Sequence, residues 1–186
     1  MPDVDLKEKI KQVAVEHFNN AGYHGATVRA IAKDVNCSLP MVYYYFSDKK
    51  GLFDEIIKKD YFELLQRQAA GLSADNIVDF YTEFVYGLNN LSSYDKKVYR
   101  LGIKVYLGFD GDEELMSIMD EWEKTVLPRH HELLKPHLKN SSNPVAIVRT
   151  LVHLLENLIE NVIVKNRDLS KEEIREEISI VLECKG

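Results

Sequence analysis

Three consecutive tyrosines at positions 43–45 lie in a part of the chain that also carries side chains suited to binding phosphate. Tyrosine hydroxyl groups can donate hydrogen bonds to phosphate oxygens, and an apolar side chain such as Met41 can contact the methyl group of thymine. Thr27 and Arg29 precede the tyrosines, and Lys49 follows them. These residue types indicate the binding of nucleic acid.

Lys49 and Thr27 are the two candidate phosphate anchors of this stretch. Lys49 falls in the predicted first turn of a helix, where a cation opposes the helix dipole. A lysine at that position is better explained if a phosphate is bound there as well, by the lysine and by free backbone amides. Thr27 offers a second anchor at the start of another helix, from whose first turn Arg29 extends. Each residue taken singly is equally well explained as an ordinary cap or a solvated cation.

Two short helices joined by a tight turn are predicted to position these side chains. Apolar residues at helical spacing predict one helix over 28–35 and another from about 39 to 46. Asn36 suits the turn between them, because asparagine adopts left-handed backbone angles at small cost. Such a pair behind a buried first helix is a helix-turn-helix, whose second helix enters the major groove of DNA.

The second helix of the pair is predicted to bury only part of its circumference. Val42 and Phe46 are four residues apart and are expected to face the core. Ser38 is expected to cap the helix, its hydroxyl accepting from the amide of Met41, because Pro40 has no N–H to offer. The residues left to point outward or sideways are Leu39, Pro40, Met41, Tyr43 and Tyr44.

The whole chain is predicted to be all-α with about nine helices, because apolar residues recur at helical spacing and no stretch alternates long enough for a strand. In the second half, Asn143 before Pro144 is predicted to open a long helix, and Ser170 with Glu173 to form a capping box. Pro128 is predicted to kink or break the helix that contains it.

The charge of the chain is unevenly distributed. The 186 residues include 24 Lys and Arg against 30 Asp and Glu, a formal net charge of −6, which argues against a nucleic-acid partner. Residues 1–59, however, carry nine basic and eight acidic residues, while the rest carry 15 and 22. The part with the tyrosines is therefore nearly neutral. Because there is no apolar run of about 18 residues and no signal segment, we expect a cytoplasmic protein without membrane contact.

Other chemistries find little support in the sequence. His130, His131 and Glu132 suggest a metal site, but the zincin pattern needs a second histidine at position 135, which is Lys135. No glycine-rich phosphate loop, nucleophile elbow or Cys/His pairing occurs. The two cysteines are far apart and form no Cys-x-x-Cys pair. We therefore expect no enzyme activity, no metal and no cofactor.

The order of residues between Phe18 and Leu52 carries a family resemblance. After the phenylalanine come Gly22-Tyr23, Thr27-Val28-Arg29, Ile31-Ala32, Ser38, Tyr43-Tyr44-Tyr45-Phe46 and Lys49. With this pattern, about the first 55 residues resemble the DNA-binding domain of TetR-type transcriptional regulators. Two positions depart from the family pattern: the turn, usually Ala-Gly, is Val35-Asn36, and Cys37 replaces an aliphatic residue.

The resemblance implies an all-helical homodimer that binds a palindromic operator in double-stranded DNA, usually represses transcription, and is released by a small ligand. It implies a helix-turn-helix domain over residues 1–49 and a helical ligand-binding and dimerisation domain over 50–186. In the first domain it places five residues mainly on phosphates: Thr27, Arg29, Tyr43, Tyr44 and Lys49. It places Leu39, Pro40 and Met41 nearest the base edges, with Ser38 in the same DNA-contacting set.

The second domain is expected to hold an effector pocket and a dimer interface. The pocket candidates are rich in aromatic and methionine side chains, which favours a hydrophobic or aromatic effector: Tyr81, Phe84, Tyr106, Met119, Trp122, His153 and Asn157. Each aromatic residue taken singly is better explained as core packing, whereas His153 and Asn157 are equally well explained as a solvent face. The broad apolar stripes of the last two helices predict dimer contacts through Leu155, Ile159, Val162, Ile174, Ile178 and Val181.

Three functions remain open at this point. The first is a ligand-responsive, dimeric repressor. The second is a nucleoid or architectural DNA-binding protein without an effector. The third is a pocketed binding module or enzyme whose helix-turn-helix is a relic.

Overall fold

The computed structural model describes residues 4–70, 76–108, 113–139 and 141–183. Regular structure in these ranges is entirely helical, which confirms the prediction of an all-α chain with about nine helices. One 3₁₀ turn spans Leu88–Asn90. The helices are α1 (Val4–Gly25), α2 (Val28–Val35), α3 (Leu39–Phe46), α4 (Lys49–Asp54, continued by a π-helical segment, Glu55–Tyr61, and by Phe62–Ala70), α5 (Ile77–Gly87), α6 (Ser93–Tyr106), α7 (Glu113–Leu134), α8 (Pro144–Ile163) and α9 (Lys171–Glu183).

The chain divides into two compact units. The first contains Met1–Gln66 and Ser92–Met116, and the second contains Arg67–Leu91 and Ser117–Gly186. The first unit extends beyond residue 49 because α6 packs against α1 and against the π-helical segment of α4. The predicted division into a DNA-binding domain over residues 1–49 and a second domain over 50–186 stays a prediction. Within the described ranges, no helix is both long enough and apolar enough to cross a membrane.

Helices α1 to α3 form around a small apolar core. Phe18 of α1, Ile31 of α2 and Val42 of α3 are all buried, each on the face that its helical spacing predicts. Helical hydrogen bonding in α1 continues to Gly25, although Gly22 has a φ of 71° that interrupts the helical backbone angles. The predicted bounds of the next two helices, 28–35 and about 39–46, are confirmed.

Two turns with left-handed backbone angles fix the direction of α3. Asn36 has φ 60° and ψ 43°, and its N–H donates to the carbonyls of Ala32 and Lys33, which confirms the predicted turn. After α3, Ser47 has φ 65° and ψ −52°, and the N–H of Asp48 donates to the carbonyl of Phe46 at 2.7 Å. This is a γ-turn of the rare, strained type. The chain therefore leaves α3 abruptly, and α4 begins two residues later.

A close approach of a ring to a glycine and a buried ionic network are two of the contacts that hold the rest of the first unit together. Tyr61 is buried against Gly102 of α6, where a Cβ atom on residue 102 would lie 2.5 Å from the tyrosine ring. Lys11 of α1 donates to both carboxylate oxygens of Asp60, each at 3.0 Å, and the hydroxyl of Tyr94 donates to the same carboxylate. These contacts join α1, α4 and α6.

The second unit contains α5, most of α7 (from Ser117 onward), α8 and α9. Asn143 caps α8 by accepting from the amide of Ala146 at 3.1 Å, as its place before proline predicts. Ser170 and Glu173 form the predicted capping box, with reciprocal contacts of 3.2 and 2.8 Å. The core of the unit includes Val78, Tyr81, Val85, Leu134, Leu138, Val148, Leu151, Leu155, Leu158, Ile174 and Ile178.

The sequence predicts a kink or a break at Pro128; helix α7 continues through it to Leu134, so a break does not occur. A proline within a helix removes one backbone hydrogen bond to the residue four positions earlier. The backbone after it remains hydrogen-bonded, since the N–H of Lys135 donates to the carbonyl of His131 at 2.9 Å. The loss of one donor is tolerated in a helix whose buried residues, Leu134 among them, pack into the core.

Candidate nucleic-acid interface

Helix α3 presents an apolar and aromatic face to solvent. Val42 and Phe46 are buried, as predicted, and anchor the helix on its inner side. On the outer side, Tyr44 is 68% exposed, Tyr43 43% and Met41 36%. Large side chains with this exposure are uncommon on a helix of eight residues, and they leave a surface that is open to a flat or grooved partner. Pro40 is exposed as well, while Leu39 is half-buried.

The start of α2 carries the second predicted anchor. The hydroxyl of Thr27 accepts from the amide of Ala30 at 3.2 Å, which confirms that Thr27 caps the helix. The hydroxyl hydrogen remains able to donate to a phosphate oxygen. Arg29, in the first turn, is exposed and has no ion pair within the described part of the chain. Helices α2 and α3 pack against each other, so both sets of side chains belong to one small domain.

Ser38 does not cap α3 with its side chain, contrary to the prediction. Its carbonyl group accepts from the amide of Met41 at 3.0 Å, and its hydroxyl makes no capping bond. With Pro40 in the first turn, the backbone alone satisfies the amide that the hydroxyl was expected to bind. The exposed hydroxyl is therefore available to an outside partner.

Lys49 is engaged with the protein itself. Its ammonium group donates to the carbonyl oxygens of Tyr23 at 2.8 Å and Ala26 at 3.2 Å, with a longer contact of 3.5 Å to that of His24. The same group lies 4.6 Å from the centre of the Tyr23 ring. The sequence does not predict this arrangement. Its only sequence signal is the helix-interrupting Gly22, which predicts carbonyl groups without helical partners nearby.

Lys50 is neutralised by acidic neighbours. Its ammonium group lies 2.7 Å from a carboxylate oxygen of Asp54 and 3.0 Å from one of Glu114, and Lys58 binds the same two carboxylates. Hydrogen bonds from Lys58 and Lys50 lower the pKa of Glu114 to about 2. The spacing of Lys50, Asp54 and Lys58 at four residues along α4 is the sequence signal for part of this cluster. Glu114, the acidic partner on α7, has no such signal in the sequence.

Comparisons with known proteins agree with this geometry. Residues 10–56 match the family of bacterial regulatory proteins described as the tetR family. A TetR-like transcriptional regulator from Rhodococcus sp. RHA1 superposes with a TM-score of 0.76 over 98% of this chain and 96% of its own, at 16% identity. Residues 10–56 therefore contain the N-terminal domain of that family, and the structural likeness shows the fold. A TerR/AcrR-family transcriptional regulator from Aquifex aeolicus VF5 gives a TM-score of 0.69 at 22% identity, over 96% of this chain and 98% of its own.

Two curated relatives match a stretch of 88 residues of this chain. The biofilm operon icaADBC negative transcriptional regulator IcaR of Staphylococcus aureus (strain Newman) is 31% identical over 88 residues, 45% of this chain and 47% of the relative. The probable transcriptional regulator YttP of Bacillus subtilis (strain 168) is 30% identical over 88 residues, 46% of this chain and 42% of the relative. The matches span less than half the length of these relatives.

The predicted pocket residues fall in both units of the chain. Tyr106 belongs to the first unit, whereas the other six belong to the second. His153 and Asn157 are exposed on α8, so they form the solvent face that was their alternative explanation. Trp122 is half-buried beneath the guanidinium of Arg129, 4.5 Å from the ring centre. The aromatic residues of the set thus have partners within the protein.

Tyr81 is the predicted pocket residue with the clearest polar contact. It is almost fully buried, as is Met119, while Phe84, three residues after Tyr81, is half-buried. The hydroxyl of Tyr81 and Nδ1 of His130 lie 2.7 Å apart and form a hydrogen bond. Burial raises the pKa of Tyr81 and lowers the pKa of His130, so both groups are neutral at pH 7. A separate cavity of about 200 Å³ contains none of the predicted pocket residues and is lined by Leu127, Pro128, His131, Val145, Val148 and Arg149.

The predicted dimer residues lie mainly in the core of their own unit. Four of them are buried and cannot form the surface of a contact between protomers: Leu155, Val162, Ile174 and Ile178. These stripes are broad because each helix packs on several neighbours of the same chain. Ile159 and Val181 are half-buried, so a dimer role stays a prediction for these two.

Within the described ranges, no group of three or more metal-binding side chains is placed to hold a metal ion.

Proposed function

We propose that this chain is a DNA-binding transcriptional regulator that reads its operator with α3. The exposed face of Met41, Tyr43 and Tyr44 carries this proposal, because the same helix buries Val42 and Phe46 and is held between two tight turns. A rigid helix that displays apolar and hydroxyl groups fits the major groove, where it contacts thymine methyl groups and flanking phosphates. Thr27, Arg29 and Ser38 supply further donors to the phosphate backbone.

The regulator is proposed to act as a dimer on a palindromic operator. Two recognition helices about 34–36 Å apart reach successive major grooves on one side of the duplex. Apolar side chains on the second unit support a protomer contact there, since Val145 of α8 is 58% exposed and Ile180 of α9 is 59% exposed. Sedimentation equilibrium of the free chain tests this step, with a monomer at micromolar concentration as the contrary result.

Repression released by a small effector is the regulatory mode that we propose. The relative IcaR is a negative transcriptional regulator, which supports repression, and the aromatic and methionine side chains among the pocket candidates support an effector that is largely hydrophobic or aromatic. Effector binding would change the operator affinity through a coupling free energy between two sites. A screen for compounds that release the chain from DNA tests this step, and a compound that releases DNA without raising the melting temperature of the free chain contradicts it.

The DNA-binding proposal is tested by selecting duplexes from a random library and measuring the affinity of variants for the selected site. Tyr44→Ala should bind about tenfold more weakly, and Tyr44→Phe should show how much of that loss belongs to the hydroxyl group. Leu107→Ala is the matched control, since Leu107 is 56% exposed in the same unit but lies at the end of α6. Failure of the wild-type chain to select any sequence refutes the proposal, and so does a Tyr44→Ala affinity equal to that of Leu107→Ala.

A further inference from the structure

The contacts of Lys49 indicate a structural role inside the protein. Its ammonium group has three hydrogens, and three carbonyl oxygens, those of Tyr23, His24 and Ala26, surround it at 2.8, 3.5 and 3.2 Å. Such carbonyl groups at the end of a helix lack helical partners and carry the negative end of the helix dipole. A lysine that satisfies them has no hydrogen left over for a phosphate oxygen in this arrangement.

Aromatic packing supports the contact between Lys49 and the carbonyl groups at the end of α1. The ammonium group lies over the ring of Tyr23, 4.6 Å from its centre, where the face of an aromatic ring attracts a cation. The Tyr23 ring in turn packs on Phe53, with ring centres 4.8 Å apart. Phe53 lies one helical turn after Lys49 on α4 and is fully buried. Two side chains of α4, Lys49 and Phe53, therefore contact the end of α1 through Tyr23.

The carbonyl of Ala26 connects this contact to the DNA-binding face. Ala26 is buried and directly precedes Thr27, the residue that caps α2. Holding the carbonyl of Ala26 fixes the peptide plane that leads into Thr27, and with it the direction of the first amides of α2. Lys49 itself is held by the γ-turn at Ser47 and by the cap at Asp48, whose carboxylate accepts from the amide of Gly51 at 2.7 Å.

We propose that Lys49 is a positioning residue of the DNA-binding surface: it holds the turn between α1 and α2 in place and does not itself neutralise a phosphate. This inference rests on the proposed function, and it departs from the phosphate role that the sequence resemblance implies for Lys49. The two roles differ in a measurable quantity. Each phosphate that a protein cation neutralises contributes about 0.9 to the slope of log Kobs against log salt concentration.

Operator affinity measured from 50 to 200 mM salt separates the two roles. Lys49→Gln should bind about tenfold more weakly than the wild-type chain, with an unchanged salt slope. Arg29→Gln is the matched control, an exposed cation in the first turn of α2 whose removal should lower the slope by about 0.9. A Lys49→Gln slope that falls as far as that of Arg29→Gln overturns the proposal.

Lys49→Arg gives an independent result on the same question. Arginine keeps a cation at the site and so keeps any phosphate contact, but its planar fork cannot direct three donors at carbonyl groups that surround one nitrogen. We expect weaker binding at the wild-type slope. Wild-type affinity in Lys49→Arg contradicts the positioning role.

Hydrogen exchange of the free chain tests the role without DNA. In Lys49→Gln, amides of residues 24–31 should exchange at least tenfold faster than in the wild-type chain, while the thermal transition stays cooperative. Unchanged exchange in this segment overturns the proposal; if Lys49→Gln does not fold, Lys49→Arg replaces it. Because no DNA is present, a wild-type chain that selects no operator refutes the proposed function and leaves this measurement valid.

Discussion

Replacing Lys11 by methionine should destabilise the first unit strongly, because it leaves a buried carboxylate without its cation. The Lys11 side chain is 6% exposed and that of Asp60 11%, and the ammonium group lies 3.0 Å from both carboxylate oxygens. Burial by itself lowers the pKa of Lys11, but the hydrogen bonds and charges of Asp60 and Glu8 outweigh it, so the pKa is raised. The stabilisation is therefore complete at pH 7 and is lost only as the pH rises above about 10.5.

The expected loss is about 3 kcal/mol in the free energy of unfolding. Removing one partner of a buried ion pair costs about 3–5 kcal/mol. The lower end applies because the hydroxyl of Tyr94 still donates to Asp60 and the carboxylate keeps some contact with water. For a domain whose stability lies in the usual range of about 5–15 kcal/mol, this is a large fraction.

Urea unfolding followed by circular dichroism at one fixed protein concentration measures this loss. Lys124→Met is the control, because the Lys124–Glu121 pair is about 70% exposed on both sides and its loss should leave the urea midpoint nearly unchanged. Adding Asp60→Asn to Lys11→Met should recover more than about 1 kcal/mol of the free energy of unfolding, because the double variant no longer buries an unpaired carboxylate charge. A Lys11→Met loss below about 1 kcal/mol, or strictly additive losses in the double variant, would refute the reasoning.

Three further predictions concern the backbone positions Gly102 and Asn36 and the buried Tyr81–His130 pair. Gly102→Ala should lower the stability by about 1–3 kcal/mol in urea unfolding, because its Cβ would meet the ring of Tyr61 at 2.5 Å; a neutral result contradicts the close contact. Asn36→Ala should cost about 1 kcal/mol and Asn36→Gly almost nothing, since the residue has a φ of 60°; equal losses contradict the role of the left-handed turn. Burial lowers the pKa of His130, so the unfolded chain binds a proton more readily. Stability should therefore fall as the pH falls below about 6.5, less so in His130→Gln, and parallel pH profiles of the two chains exclude this cause.

The helix-turn-helix is the part of the fold that could be predicted residue by residue. The cap at Thr27, the left-handed turn at Asn36 and the burial of Val42 and Phe46 are all confirmed. These features depend on contacts within about four residues along the chain, so helical spacing and turn chemistry are sufficient to predict them. The Ser38 cap failed although it is local, because backbone and side chain compete for the same amide.

The contacts of single charged residues could not be predicted in this way. Lys49 binds carbonyl groups 23 to 26 positions earlier in the chain, and Lys11 binds a carboxylate 49 positions later. The helical pattern says which face a residue lies on, but not which distant element packs against that face. The same limit applies to Leu155 and Ile178, whose apolar spacing suits a dimer interface and a protomer core equally.

The sequence by itself determined the all-α class, the bounds of α2 and α3 and the outward face of Met41, Tyr43 and Tyr44, because local periodicity and turn geometry control these properties. Only the tertiary structure decided which charges remain exposed to a partner. It pairs Lys49 and Lys50 with groups of the protein itself and leaves Arg29 exposed. The reason is physical: charge pairing depends on distance in space, and helices that are remote in sequence supply the carbonyl groups and carboxylates that meet these cations.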